Sequence, residues 1–92
     1  MYKLVWTQYF TRAAKKFIKS HPDLKERLAD VLRNLEADPS QPSLRIHPLK
    51  GLLAGLHAVS LTHSYRITLT LKITEKEIVL IDIGSHDDVY RQ

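Results

Sequence analysis

The chain has 92 residues, one domain's worth of sequence and enough to bury a single modest core. Hydrophobic residues make up 43% and charged residues 26%, with no cysteine; this excludes a disordered polar chain, a disulfide framework, thiolate chemistry and cysteine-based zinc sites. Lys and Arg number 14 against 10 Asp and Glu, a net charge of +4, so the surface is expected to attract polyanions such as RNA or an acidic protein.

The first residues show no charged segment leading into a long apolar run, and no stretch approaches the roughly 18 apolar residues of a spanning helix. A cytoplasmic protein without membrane contact is the expectation. Residues 2–6 include Tyr2, Val5 and Trp6 and no breaker, which predicts a strand; Thr7 then offers an oxygen as a helix N-cap. Phe10, Ala13, Ala14, Phe17 and Ile18 follow the spacing of one apolar helix face, with Arg12, Lys15, Lys16 and Lys19 opposite, and predict a helix over 8–20. Pro22 suits the first position of a second helix, and Asp23 and Glu26 suit its first turn. Leu24, Leu28, Val31, Leu32 and Leu35 repeat at helical spacing until Asp38 and Pro39 stop the run, predicting a helix over 22–37.

Residues 38–55 hold Pro39, Pro42, Pro48, Gly51 and Gly55 and read as a connection with at most short local structure, of a length that is disproportionately functional when ordered. Residues 56–62 predict a strand. Over 65–73, Tyr65, Ile67, Leu69, Leu71 and Ile73 alternate with Arg66, Thr68, Thr70 and Lys72, a strand whose apolar set faces the core and whose Arg66 faces away. Residues 74–76 turn the chain, and the nearly continuous apolar run 78–83 is expected of a central strand covered on both faces and ended by Gly84. This order predicts an α+β domain over residues 1–92: an N-terminal strand and helical hairpin, the helices packed on one face of a mostly antiparallel four-stranded sheet. Phe10, Phe17, Leu28, Leu32, Ile67, Leu69 and Leu80 are its expected core.

Cutting RNA without a metal requires a base for the 2′-hydroxyl, cations for the phosphorane, an acid for the leaving 5′-oxygen and a platform that splays the nucleotide. The C-terminal half offers imidazoles at His47, His57, His63 and His86, cations at Arg66 and Lys50, and rings at Tyr65 and Tyr90. For His21 and His57 the ordinary reading is a solvated surface residue. His86 follows a strand through Gly84 and Ser85, at a strand end from which a rigid scaffold aims a loop residue. Arg66 is either a cross-strand partner of Glu77 or Asp82 or a phosphate clamp, and Tyr90 is either a hydrophobic clasp for the tail or a stacking, proton-donating phenol. No two histidines have the spacing of a helical metal pair and there is no H-E-x-x-H, so neither a metal nor a cofactor is expected.

The run His47-Pro48-Leu49-Lys50-Gly51, then Gly55, then Tyr65-Arg66-Ile67, then Ile81-Asp82-Ile83-Gly84-Ser85-His86-Asp87-Asp88-Val89-Tyr90 resembles the C-terminal half of RelE/StbE-type toxins, nearest to their YafQ-like branch. The resemblance covers essentially the whole chain, and the closing G-S-H-x-x-V-Y is its most specific part. It implies a metal-independent mRNA endoribonuclease that acts on the ribosome, with ribosome, mRNA and a cognate antitoxin as partners in a toxin–antitoxin hetero-oligomer. Carried over by position, His86 and His47 become catalytic acids or bases, Arg66 the group that stabilises the phosphorane, and Tyr90 the aromatic that orders substrate. Lys50, His63, Tyr65 and Lys16 are the candidate substrate-binding residues. This chain has Ser60 and Ser64 where the YafQ-like pattern has a histidine and an aspartate, and Asp82 where it has an arginine; His63 is a candidate substitute for one missing group. Two other functions fit the same layout: a ParE-like toxin that inhibits gyrase by binding, and a non-catalytic module that meets an acidic partner.

Overall fold

The computed structural model describes residues 1–85. Its elements in chain order are β1 (Lys3–Trp6), α1 (Gln8–Ser20), α2 (Lys25–Ala37), β2 (His47–Pro48), β3 (His57–Ser60), β4 (Tyr65–Lys72) and β5 (Glu77–Ser85). The sheet has five strands in the order β1-β5-β4-β3-β2. β1 runs parallel to β5, and every other pair is antiparallel. The strand beyond the expected four is β2, which pairs His47 with Ala58 and Pro48 with His57. Two residues carry no readable periodicity, and a proline is tolerated there because the strand is at an edge.

Thr7 joins the first strand to the first helix. Its hydroxyl accepts from the Phe10 backbone N–H at 3.0 Å and donates to the Leu80 carbonyl at 2.7 Å, so one side chain caps α1 and ties the junction to β5. Phe10, Ala14 and Phe17 are the buried stripe of α1, and Leu28, Val31 and Leu35 that of α2. Between them, Pro22 opens a 3₁₀ turn, Pro22–Leu24, in which the Leu24 N–H reaches the His21 carbonyl; the expected start of the second helix is therefore wound more tightly than an α-helix. In the loop that follows, the Ser40 hydroxyl and backbone N–H hold the Asp38 carboxyl below its usual pKa, and Leu44 anchors the loop in the core at 1% exposure.

Of the expected core, Phe10, Phe17, Leu28, Ile67, Leu69 and Leu80 are buried and Leu32 packs half-buried against them. Ile73 is not part of it. β4 ends at Lys72, and Ile73 lies in the turn at 67% exposure. β5 also departs from expectation, because Gly84 does not end it: Gly84 pairs with Arg66 and Ser85 with Tyr65. Thr68 pairs with Asp82 but Leu69 with Leu80, so Ile81 is an extra residue, a β-bulge that shifts the alternation by one. The apolar run 78–83 thus reflects three in-facing residues, Ile78 and Leu80 before a bulge and Ile83 after it.

Thr7→Ala removes a cap and a long-range hydrogen bond together and is expected to cost about 1–3 kcal/mol, whereas Thr7→Ser keeps both and stays near the parent. Urea unfolding of the two variants checks this.

Candidate functional site

The helices cover one face of the sheet, and the residues between the core positions form the other. Pairing aligns them in two rows, His47–Ala58–Thr68–Asp82 and Ser60–Arg66–Gly84. With strands spaced roughly 4.8 Å apart, the first row spans about 14 Å. In the second, Gly84 has no side chain to crowd the half-buried Arg66 beside it. Glu77 pairs with Lys72 at the far end of β4, which removes it as a partner for Arg66; Asp82 sits diagonally across. The Asp82 carboxylate accepts from the Ile83 N–H at 2.7 Å. Thr68, at 2% exposure, has a hydroxyl with no hydrogen-bond partner among the described residues. A buried group left in that state costs about 1–3 kcal/mol, and this one lies at the centre of the first row.

His47 is exposed at the sheet edge, and its Nδ1 lies 3.0 Å from the Arg45 carbonyl. Because a carbonyl only accepts, Nδ1 is the donor of that contact, which leaves Nε2 outside it. Lys50 is exposed just beyond β2, and His63 is exposed in the turn between β3 and β4. His63 shares a pocket of about 520 Å³ with Ser60, Thr62, Ser43 and two arginines that the sequence reading passed over, Arg27 and Arg45. Arg45 stands two residues before His47, which is a usable signal; Arg27 belongs to a helix and reaches the pocket only through the tertiary fold.

Two other candidates lie on the helix side. Tyr65 shares the face of Ile67 and Leu69, its hydroxyl donates to His21 Nε2 at 2.9 Å, and His21 Nδ1 donates to the Phe17 carbonyl at 3.1 Å. The His21 ring stacks on Phe17 with centroids 4.5 Å apart. His21 is therefore a half-buried structural residue at the end of α1 and not a solvated one. His57 is half-buried too, with Nδ1 unpartnered among the described residues. Tyr65 and Lys16 line a recess of about 320 Å³ with Ser20, Ser85, Asp82 and Gly84, and Gly84 is the cross-strand partner of Arg66. His86 and Tyr90 lie outside the described residues.

A third depression, of about 530 Å³, runs between α1 and α2 over Trp6, Ala14, Ile18, Leu28 and Leu32, with Lys15, Lys19 and Lys25 on its rim. Among the described residues no cluster of three His, Cys, Asp or Glu residues is arranged to hold a metal ion, and no helix is long and apolar enough to cross a membrane.

No protein-family model matches the sequence, and no curated protein matches it either. Solved structures do. YafQ from E. coli superposes with a TM-score of 0.81 at 16% identity over 98% of this chain and 99% of that one, and also as the DinJ–YafQ complex, with a TM-score of 0.78 at 17% identity over 98% and 99%. A metal-bound toxin from Helicobacter pylori gives 0.80 at 27% identity over 98% and 100%. A YoeB/ParE toxin from Agrobacterium tumefaciens gives 0.75 at 24% over 91% and 98%.

Tyr65→Phe deletes the hydrogen bond to His21 while keeping the ring, and is expected to lower stability by about 1 kcal/mol. Urea unfolding reads that loss, and ¹⁵N imidazole spectra read the release of the His21 tautomer.

Proposed function

We propose that this chain, which has the fold of the RelE/ParE superfamily of toxins, is the toxin of a type II toxin–antitoxin pair and a metal-independent endoribonuclease that cuts message on the ribosome in the cytoplasm. The observation that carries the reading is the helix-free sheet face, where the Arg66 strand position and the Nε2 of His47 lie on the same side in a fold shared with YafQ. In the proposed reaction His47 or His86 takes the proton of the 2′-hydroxyl, whose oxygen attacks phosphorus. Arg66 offsets the charge that develops on the phosphorane oxygens with a planar, permanently cationic fork. The other histidine gives a proton to the 5′-oxygen as the P–O bond breaks, leaving a 2′,3′-cyclic phosphate and a 5′-hydroxyl. Tyr90 supplies a ring on which a base stacks. Lys50 and His63, exposed beside this face, are the substrate contacts of the reading.

A second reading is kept by Asp82, a buried carboxylate in the row next to Arg66. A carboxyl where the YafQ-like pattern has an arginine takes a cation away from the phosphate site and suits a toxin that acts by binding, as a ParE-like inhibitor of gyrase or a non-catalytic module would.

General acid or base catalysis is worth about 100- to 10,000-fold, so His86→Ala and His47→Ala are expected to lose most cleavage. Arg66→Lys keeps charge without the fork and is expected to lose roughly 10- to 100-fold. RNA ends mapped in a translating extract measure all three, with circular dichroism as the folding check. Full message cleavage by folded His86→Ala would sink the catalytic assignment, and gyrase arrest with intact RNA would replace it with the second reading.

A structure that pairs YafQ with DinJ supports a protein antitoxin as the partner here. Its docking surface on this chain is the apolar α1–α2 groove, whose three rim lysines fit an acidic amphipathic segment. Charge reversal of Lys15 and Lys19 is expected to weaken antitoxin binding about ten-fold at low salt and less at high salt. Reversal of Lys16, which lies in the other recess, has little effect. Equal effects of the three substitutions in a titration would refute this docking site.

A further inference from the structure

Of the residues lining the pocket beside Ser60, only His63 is a substrate contact of the proposed nuclease, and the rest are suited to a further anion. Arg27, Arg45 and His63 line this pocket with the hydroxyl residues Ser43, Ser60 and Thr62, and no carboxylate is among its lining residues. Arg27 is anchored there by its Nε, which donates to the Leu61 carbonyl at 2.8 Å. Its two terminal nitrogens make no hydrogen bond or ion pair among the described residues. Arg45 sits at φ 52° and ψ 43°, a left-handed conformation that glycine adopts without strain and an arginine does not. Its backbone N–H and carbonyl are used by Pro42 and His47, while its guanidinium has no carboxylate partner among the described residues.

Two guanidinium forks and three hydroxyl residues match the non-bridging oxygens of a phosphodiester better than they match a flat carboxylate, which one fork satisfies. The pocket is also continuous with the sheet face, because Ser60 lines it and is the cross-strand partner of Arg66, a pair whose Cα atoms are roughly 5 Å apart. A strand lying across that face therefore meets Arg66 and the pocket in succession.

We propose that this pocket, through Arg27 and Arg45, binds a backbone phosphate of single-stranded RNA adjacent to the phosphate at Arg66. The proposal rests on the nuclease reading for the identity of its ligand, but not on cleavage. Neutralising one phosphate of a single strand contributes about 0.7 to the slope of log K against log salt.

The test is fluorescence anisotropy of the full chain with a 2′-O-methyl RNA oligonucleotide, which cannot be cut, across a salt series. Arg45→Gly removes the cation and relieves the backbone, so it keeps the fold. It is expected to flatten the slope by about 0.7 and to weaken binding roughly ten-fold near 0.1 M salt. Arg27→Gln is expected to do the same, and Arg33→Gln, a substitution on the same helix at a residue paired with Asp30, is the control that does not. Slopes and affinities of both pocket variants equal to the parent's overturn the proposal. So does an oligonucleotide that the parent fails to hold at low salt, or a loss seen only against polyglutamate, which would mark a carboxylate partner. A parent with the arginine-dependent slope that cuts no message on ribosomes leaves the pocket standing and overturns the nuclease. A parent that cuts message while both variants bind as it does has the opposite meaning.

Discussion

The bulge at Ile81 is the constraint on which the rest of the molecule depends. β5 is hydrogen-bonded on both sides, to β1 and to β4, and must present apolar residues to the helices along its whole length. An unbroken alternation from Ile78 and Leu80 would turn Asp82 into the core and Ile83 out of it. The extra residue reverses that, burying Ile83 against the helices and putting Asp82 on the opposite face. It also sets Arg66 opposite Gly84 instead of Ile83, so no side chain stands at its cross-strand position. One irregular residue therefore preserves the core and shapes the face that carries the charge.

The sheet also divides labour. On the helix side, hydrogen bonds serve cohesion: Thr7 joins α1 to β5, and Tyr65 and His21 join β4 to the end of α1. These polar atoms have partners whose loss costs stability, which is why they are poor reagents; the His57 Nδ1 is the exception among the described residues. On the other face and its β3 edge, polar groups lie in rows or pockets with unused capacity, such as the Thr68 hydroxyl and the Arg27 terminal nitrogens. The loop between α2 and β3 bridges the two roles, since Leu44 is buried in the core while Arg45 and His47, its near neighbours, are exposed.

Both helices, the strand segments and the outward direction of Arg66 were legible in the sequence, because the apolar spacings of 3.6 and 2 register which side of an element meets the core. The resemblance of the closing segment pointed to the same fold. The sequence could not show β2, because two paired residues have no period, nor the bulge, because an apolar run reads the same with or without it. Nor could it join Tyr65 to His21 or bring Arg27 to His63. An aromatic or a lysine looks equally usable until the packing of α1 on β5 decides which face it occupies. A guanidinium on a helix meets a turn 34 positions away only when the chain closes on itself. Local periodicity is written residue by residue, and so the sequence determined the elements. Proximity between distant residues is a property of the closed chain, and so only the tertiary structure decided the composition of the site.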